Sequence, residues 1–229
     1  MKVKLVVTGD GSHTLFLPRI NEHYHSTFGA IRESNHIFID SGLVHFRDHS
    51  ELTIFEAGFG TGLNALLTAM QADHHNIKVN YIAVEPYPLE TAIYMQLNYP
   101  YLLGIQESLH LFKAIHEAPF NKKTSITQGF SLIKIKGKLE DAILSPKTID
   151  LVYFDVFSPD VQPELWTEKI FRKLFNSMKP GGILVTYSAK GAIRRSLKNA
   201  GFQVEKLPGP PGKREITRAI KAPHPLGVV

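Results

Sequence analysis

The segment Phe55-Glu56-Ala57-Gly58-Phe59-Gly60-Thr61-Gly62-Leu63-Asn64 constrains the fold of this chain more than any other. Residues 52–56 read as a short strand leading into it, and from 62 to 73 Leu63, Leu66, Leu67 and Met70 recur at helical spacing. A strand that turns through three glycines into a helix is the opening unit of a β-α-β fold. The alternation then continues. Residues 79–85, 131–135, 149–154 and 183–187 read as strands, and 89–116, 166–178 and 192–200 as helical segments. Residues 203–206 and 215–220 read as a terminal antiparallel pair. This pattern predicts an α/β fold with a doubly wound, mostly parallel sheet, whose ligands bind at the carboxyl ends of the strands near the switch point. Ahead of it, 3–8 and 14–18 predict a hairpin across Gly9-Asp10-Gly11, and 27–46 one or two short helices broken at Ser41-Gly42. We divide the chain into an N-terminal hairpin and helical extension, 1–48, packed on a core of 49–229, the two forming one compact domain.

Glycine-rich strand-helix turns serve many nucleotides, so the surrounding residues decide. The spacing is Gly-x-Gly-x-Gly rather than the Gly-x-Gly-x-x-Gly of dinucleotide sites, and no Gly-Lys-Ser/Thr follows. Glu56 lies two residues before the first glycine, where a carboxylate would repel a pyrophosphate. S-adenosylmethionine has no phosphate and carries a cationic ammonium and sulfonium, so an acid there is favourable. Glu85, followed by Pro86, ends the second strand 23 residues after Gly62. That approximates the offset of about 20 residues at which an acid accepts hydrogen bonds from ribose hydroxyls. A solvent-facing glutamate beside a purely structural turn is the competing reading.

Asp155 ends the strand 149–154 and opens the loop Asp155-Val156-Phe157-Ser158-Pro159. It therefore lies at the same sheet edge as the glycine turn. An amine that accepts a methyl group must first present a lone pair. A lysine-like amine, pKa about 10.4, costs about 4–5 kcal/mol to deprotonate at pH 7. A carboxylate can orient that amine and take its proton, or it can simply cap a following helix.

Charge is distributed unevenly. Residues 1–110 hold 6 Lys/Arg against 11 Asp/Glu, whereas 169–229 hold 13 against 2. A basic C-terminal part suggests a polyanionic partner, or a solvated basic face. The chain has no cysteine, which removes disulfides, thiolate metal sites and cysteine nucleophiles. The N-terminal apolar run is too short for a signal peptide, and no stretch approaches the roughly 18 apolar residues of a membrane span. A cytoplasmic protein without membrane contact is expected. His45 and His49 have i, i+4 spacing but no evident third ligand, so no metal is expected. No Gly-x-Ser-x-Gly turn presents a serine nucleophile.

Blocks of residues along nearly the whole chain resemble the methyltransferase of the tRNA 5-methylaminomethyl-2-thiouridine pathway, in its stand-alone form. They are Tyr24-His25-Ser26 with Gly29-Ala30 and Glu33-Ser34; the glycine turn; Val84-Glu85; and Asp155 to Pro159 with Pro163-Glu164-Leu165-Trp166-Thr167. Then come Lys179-Pro180-Gly181-Gly182, Ala189-Lys190-Gly191 with Arg194-Arg195, Ala200-Gly201-Phe202, and Gly212-Lys213-Arg214-Glu215. Their common order and spacing make the resemblance specific. Val156 stands where the family's catalytic loop has glycine, and Gly137-Lys138 where it has Gly-Asp near adenine, with Glu140 just beyond.

The resemblance implies a class I S-adenosylmethionine-dependent methyltransferase fold, Rossmann-like with an antiparallel terminal strand. The acceptor it implies is the aminomethyl group of 5-aminomethyl-2-thiouridine at the tRNA wobble position. It makes Asp155 the catalytic acid. Donor-binding residues are expected to be Glu56, Gly58, Gly60, Gly62, Asn64, Glu85, Pro86 and Glu140. The anticodon region of the tRNA is expected to meet Tyr24, Glu33, Phe157, Lys190, Arg194, Arg195, Lys213 and Arg214. Trp166 suits either stacking on a base or packing at a helix start. Bifunctional relatives append an FAD-dependent oxidase. No FAD is expected in a chain that ends at Val229, and a separate oxidase or aminomethyl-forming enzyme is the expected functional link. Two other functions share the fold. An aminopropyltransferase of the polyamine-synthase type would want an acidic pocket, and a non-catalytic RNA-binding protein would not need the acids and glycines retained here.

Overall fold

The computed structural model describes residues 3–104 and 108–223. Strands β1 (Lys4–Val7), β2 (His13–Leu17) and β3 (Glu22–His23) form a small antiparallel sheet in that order. Asp10 organises its first turn. One carboxylate oxygen accepts the Thr8 hydroxyl at 2.8 Å and the Ser12 amide at 3.0 Å, and the other accepts the Arg32 amide at 2.9 Å. The hairpin is thereby tied to helix α1 (Ala30–Ser34), which continues as a π-helical turn, Asn35–Asp40. A 3-10 turn, Leu43–Phe46, follows the expected break. Gly42 is needed there, because a Cβ would lie 2.6 Å from the Phe38 carbonyl oxygen.

The main sheet contains β4 (Glu51–Ala57), β5 (Lys78–Glu85), β6 (Thr124–Ser125), β7 (Phe130–Lys136), β8 (Ile149–Phe154), β9 (Met178–Thr186), β10 (Gln203–Pro208) and β11 (Glu215–Ile220). Its order is β10-β11-β9-β8-β4-β5-β7-β6. The five central strands, β7-β5-β4-β8-β9, are parallel. β11 is antiparallel to β9, and β10 to β11. The doubly wound α/β sheet with an antiparallel terminal strand is therefore present. The chain runs outward from β4 through β5 to β7, then returns to β8 on the other side of β4. This places the switch point between β4 and β8, where ligands of such sheets bind.

Helices α2 (Leu63–His75), α3 (Thr91–Tyr94), α4 (Tyr99–Leu103), α5 (Ser108–Glu117), α6 (Glu168–Ser177) and α7 (Gly191–Asn199) cover the faces. The expected helical segment 89–116 is divided among α3, α4 and α5, and its residues 105–107 lie outside the described residues. β9 begins at Met178, five residues before the expected start, and runs through Pro180-Gly181-Gly182. Its register against β8 shifts between Ile149 and Leu151, which accommodates that stretch. The two-residue strands β3 and β6 are too short to leave a periodic signal.

Strand parity separates two cores. Leu52, Ile54, Tyr81, Leu151 and Tyr153 face the side covered by α2 and α5, packing with Leu63, Leu66, Phe112 and Ile115. Phe55, Ala57, Val152 and Phe154 face the other side, against Ile170, Phe171 and Leu174 of α6 and Ile193 and Leu197 of α7. Every residue of β8 is buried, as expected for a central parallel strand covered on both faces. No described helix is long and apolar enough to cross a membrane.

Candidate active site

Ala57 and Phe154 are register partners at the carboxyl ends of β4 and β8, so the two loops that follow start side by side. The Asp155 amide donates to the Ala57 carbonyl at 2.9 Å. Gly58 then turns with φ +88°, so close to the neighbouring loop that a Cβ would lie 2.5 Å from the Asp155 carbonyl oxygen. Gly60, at φ +50°, lies under the Tyr24 ring. Both glycines line a cavity of about 580 Å³ that also contains Tyr24, Glu33, Glu85, Asp155, Phe157 and Lys213. Gly62 does not line it. It is the left-handed cap before α2, with Phe59 and His116 packed where a side chain would be.

Two histidines, the buried His25 and the half-buried His116, hold Thr61 at the centre of this turn. His25 Nε2 lies 2.7 Å from the Thr61 hydroxyl, and His116 Nε2 lies 3.1 Å from the Thr61 carbonyl oxygen. Facing a carbonyl, His116 Nε2 carries the proton and donates. Burial lowers the pKa of His25 to about 4 and that of His116 to about 3, so both are neutral at pH 7.

Glu85 ends β5 and is 8% exposed. One carboxylate oxygen accepts the Gly60 amide at 2.9 Å, the other the Tyr87 amide at 2.8 Å. Burial raises its pKa, and these two amides work against that rise. The carboxylate is thus fixed against the glycine turn and opens into the cavity beside Pro86, Lys138 and Glu140.

Beneath the cavity lies a chain of polar groups. Asn64 Nδ2 donates to Glu56 Oε1 at 2.9 Å and to Asp155 Oδ2 at 2.8 Å. Glu56 is fully buried, and its Oε2 and the Asn64 Oδ1 have no hydrogen-bond partner. Burial raises the pKa of Glu56 well above the usual value, against the opposing effect of Asn64. For Asp155, burial raises the pKa to about 7; the nearby Glu33 charge adds to the rise, while Asn64 and Lys213 oppose it.

The N-terminal extension and the C-terminal loop close the other side. Glu33 Oε2 accepts the Ser26 amide at 2.7 Å, and its Oε1 lies 3.4 Å from Lys213 Nζ. That ammonium sits 4.9 Å from the centre of the Tyr187 ring. Tyr24 meets Phe157 edge-on, with ring centres 5.2 Å apart. The loop after β8 is fixed by three bonds: Phe157 amide to Gln162 Oε1 at 2.9 Å, Trp166 Nε1 to the Phe157 carbonyl at 2.9 Å, and Tyr187 hydroxyl to the Val156 carbonyl at 2.9 Å. Val156 therefore fits in place of a glycine, with its backbone pinned from two directions.

Gly58, Gly60, Glu85, Pro86, Glu140, Asp155, Tyr24, Glu33, Phe157 and Lys213 all line this one cavity. Five other expected residues are engaged in contacts within the fold. Glu56 does not face the cavity, because alternation along β4 turns it with Leu52 and Ile54 toward α2. Asn64 is committed to two carboxylates rather than to the cavity, and Gly62 caps α2. Trp166 is 4% exposed and packs on Phe154, Phe171 and Tyr187, so it supports the loop and offers no stacking face. Arg194 is buried too. It donates to Thr217 Oγ1 at 3.1 Å, Glu215 Oε2 at 2.8 Å and the Ile216 carbonyl at 3.2 Å, pinning α7 to β11. Its helical neighbour Arg195 is exposed but lines no cavity described here.

Lys190 and Arg214 line a second, shallower cavity of about 610 Å³, together with Lys206; this cavity shares Ser158, Tyr187 and Lys213 with the first. Lys190 pairs with Asp160 at 2.6 Å. Lys206 was not singled out by sequence because nothing but its charge marks it. His25, Thr61, His116 and Gln162 were missed because their role is to hold the loops, which depends on contacts distant in sequence. Among the described residues, no group of three or more His, Asp or Glu is placed to hold a metal ion.

The features around the glycine turn fit an S-adenosylmethionine donor. Gly58 and Gly60 form a cradle that side chains would fill, Glu85 is aimed into it, and the acids around it disfavour a phosphate. Comparisons agree. Residues 109–222 match the family of S-adenosyl-L-methionine-dependent methyltransferases. The tRNA 5-methylaminomethyl-2-thiouridine biosynthesis bifunctional protein MnmC of Cupriavidus metallidurans is 30% identical over 232 residues, covering 95% of this chain and 34% of that protein. The protein of the same name from Ralstonia nicotianae is 31% identical over 219 residues, covering 92% and 33%. The chain thus spans about a third of the length of the curated relatives it matches. Among solved structures, MNMC2 from Aquifex aeolicus superposes with a TM-score of 0.76 at 27% identity, covering 99% of this chain and 73% of that one. Spermidine synthase from Thermotoga maritima superposes at 0.56 with 10% identity, which shows a common fold alone. With this fold, this donor cradle and relatives along nearly its whole length, the chain belongs to the S-adenosyl-L-methionine-dependent methyltransferase family that it shares with the MnmC proteins.

Proposed function

We propose that this protein N-methylates the aminomethyl group of 5-aminomethyl-2-thiouridine at the wobble position of tRNA, giving 5-methylaminomethyl-2-thiouridine. One observation carries the reading: an acidic pocket sits beside a basic flank. Glu22, Glu33, Glu85, Glu140, Glu164 and Asp155 outnumber Lys138 and Lys213 in the deep cavity, while Lys190, Lys206, Lys213 and Arg214 outnumber Glu215 in the adjoining one. Such a site suits a substrate that is cationic at its reacting atom and anionic around it. An amine displayed on RNA meets both conditions. A free polyamine meets only the first, which sets the aminopropyltransferase reading second. The names of the relatives point to the same modified uridine.

When bound, S-adenosylmethionine supplies an electrophilic methyl group. The chain's own residues do the rest. Glu85 and the backbone of Gly58 and Gly60 hold the donor. Tyr24 and Phe157 flank the acceptor base, and Asp155 orients the amine and takes its proton. A pKa of about 7 suits that task, because the carboxylate is substantially ionised at neutral pH yet basic enough to accept. In this reading the enzyme acts in the cytoplasm, on tRNA whose aminomethyl group another enzyme has formed.

The direct test is nucleoside mass spectrometry of tRNA carrying the unmethylated amine, incubated with enzyme and donor. A gain of one methyl on the wobble nucleoside is expected, and its absence ends the proposal. Calorimetric titration with S-adenosylmethionine and its decarboxylated form separates the aminopropyltransferase alternative, which requires preference for the latter. In the same assay, Glu85→Ala is expected to weaken donor binding by about 1.5–3 kcal/mol, the scale of hydrogen bonds to a charged group. RNA affinity should change little, and equal loss of both ligands would mean general destabilisation.

The basic flank predicts a salt signature. Replacing Lys190, Lys206 and Arg214 together by alanine should weaken tRNA binding and flatten its dependence on log salt by about one to three units. Arg194→Ala should instead lower the urea midpoint and leave that slope unchanged, since its guanidinium is spent on β11. An unaltered slope in the triple variant would place the tRNA elsewhere.

A further inference from the structure

We propose that Phe28 is a stacking platform for the nucleobase adjacent to the one that enters the cavity. The inference rests on the RNA reading above. Phe28 is 57% exposed, the most exposed phenylalanine among the large apolar residues on the surface, and it lines the acceptor side of the cavity. Its backbone is firmly held. The Gly9 amide donates to the Thr27 carbonyl at 2.8 Å, and Gly9 lies so close to the Phe28 carbonyl that a Cβ would be 2.9 Å away. The Phe28 amide donates to Ser26 Oγ at 3.2 Å.

The ring is supported from below as well. It rests on Gly212, where any Cβ would overlap its atoms, and where φ is +85°. A bare glycine therefore serves as the seat of an aromatic side chain whose remaining surface is open to water. From that seat the chain continues directly into Lys213 and Arg214. Lys213 lines both cavities, and Arg214 lines the basic one with Lys190 and Lys206. Among the described residues Lys206 and Arg214 form no close ion pair, and the one acid lining their cavity, Glu215, is bonded to Arg194. A rigid, exposed ring next to a group of cations is the arrangement by which proteins hold single-stranded RNA, one base stacked and the intervening phosphate neutralised. With the target uridine turned into the cavity, its neighbour loses a stacking partner, and the Phe28 ring replaces it.

The test uses an anticodon stem-loop with 5-aminomethyl-2-thiouridine at the wobble position and 2-aminopurine as its neighbour. With wild-type enzyme, binding should quench the 2-aminopurine fluorescence. Phe28→Ala should abolish the quenching and raise KM for the stem-loop about 10- to 100-fold more than for the free nucleoside. Phe28→Trp should restore both. Wild-type quenching in the alanine variant, an equal effect on stem-loop and nucleoside, or failure of tryptophan to restore function would each overturn the proposal. If the wild-type enzyme methylates neither substrate, the RNA reading itself fails, and that result is visible before any variant is made.

Discussion

Replacing Asp155 by asparagine is expected to lower turnover by about 10²–10⁴-fold, the range for a positioned acid-base group. The substitution is nearly isosteric, and the amide oxygen of the new side chain can still accept from Asn64, so the fold and most donor affinity should survive. What disappears is the proton acceptor. In the wild type, log rate should rise with pH up to about 7, where Asp155 becomes ionised, and then level off. The variant should lack that limb. Turnover within tenfold of wild type, measured by methyl transfer at several pH values, would remove Asp155 from proton transfer.

A second large effect is expected at Asn64, which does not line the cavity. Its amide group is the only hydrogen-bond donor described between Glu56 and Asp155, and both carboxyls accept from it. Asn64→Leu keeps the shape and removes the donor that the buried Glu56 and the half-buried Asp155 share. The cost should be about 2–4 kcal/mol, read as a lower urea midpoint. Catalysis should shift as well. Asn64 stabilises the ionised form of Asp155, so without it the pKa rises and the limb of the pH–rate profile moves above 7. Asp155 also makes stability depend on pH. Asp155 titrates near 7 in the fold and near 3.8 when unfolded, so its own contribution to stability falls as pH rises through that window, opposed there by His25 and His116, whose lowered values act the other way. An unchanged urea midpoint together with an unmoved pH limb would show that Asn64 does not link the two acids.

Much of this site was legible in the chain because it lies at strand ends. The glycine turn, Glu85 and Asp155 follow β4, β5 and β8, and in a parallel sheet those ends converge at one edge. Glu56 shows what such reading leaves out. Motif position suggested a ligand contact, yet the alternation Leu52, Ile54, Glu56 already turned it toward α2. Arg194 and Arg195 are indistinguishable as charges. Only the amphipathic face of α7, with Ile193, Arg194 and Leu197 buried, separates the structural arginine from the exposed one. His25 and His116 carried no local signal, since their partner Thr61 lies 36 and 55 residues away. The same holds for Trp166, whose helix-start position gave no indication that its ring would support the loop after β8.

The contacts that close the acceptor side also determine when in folding the site is completed. The donor cradle is built by β4, the turn after it and β5, a continuous stretch of chain that pairs locally. The acceptor side requires Glu33 to find Lys213, Phe28 to find Gly212, and His36 to bond the Pro208 carbonyl across 172 residues. Contacts of such long sequence separation carry a large loop-closure entropy and form late. During synthesis from the N-terminus, the donor half can therefore assemble while the C-terminal loop is still unmade. The acceptor side of the cavity is therefore complete only when the last strand pair is in place.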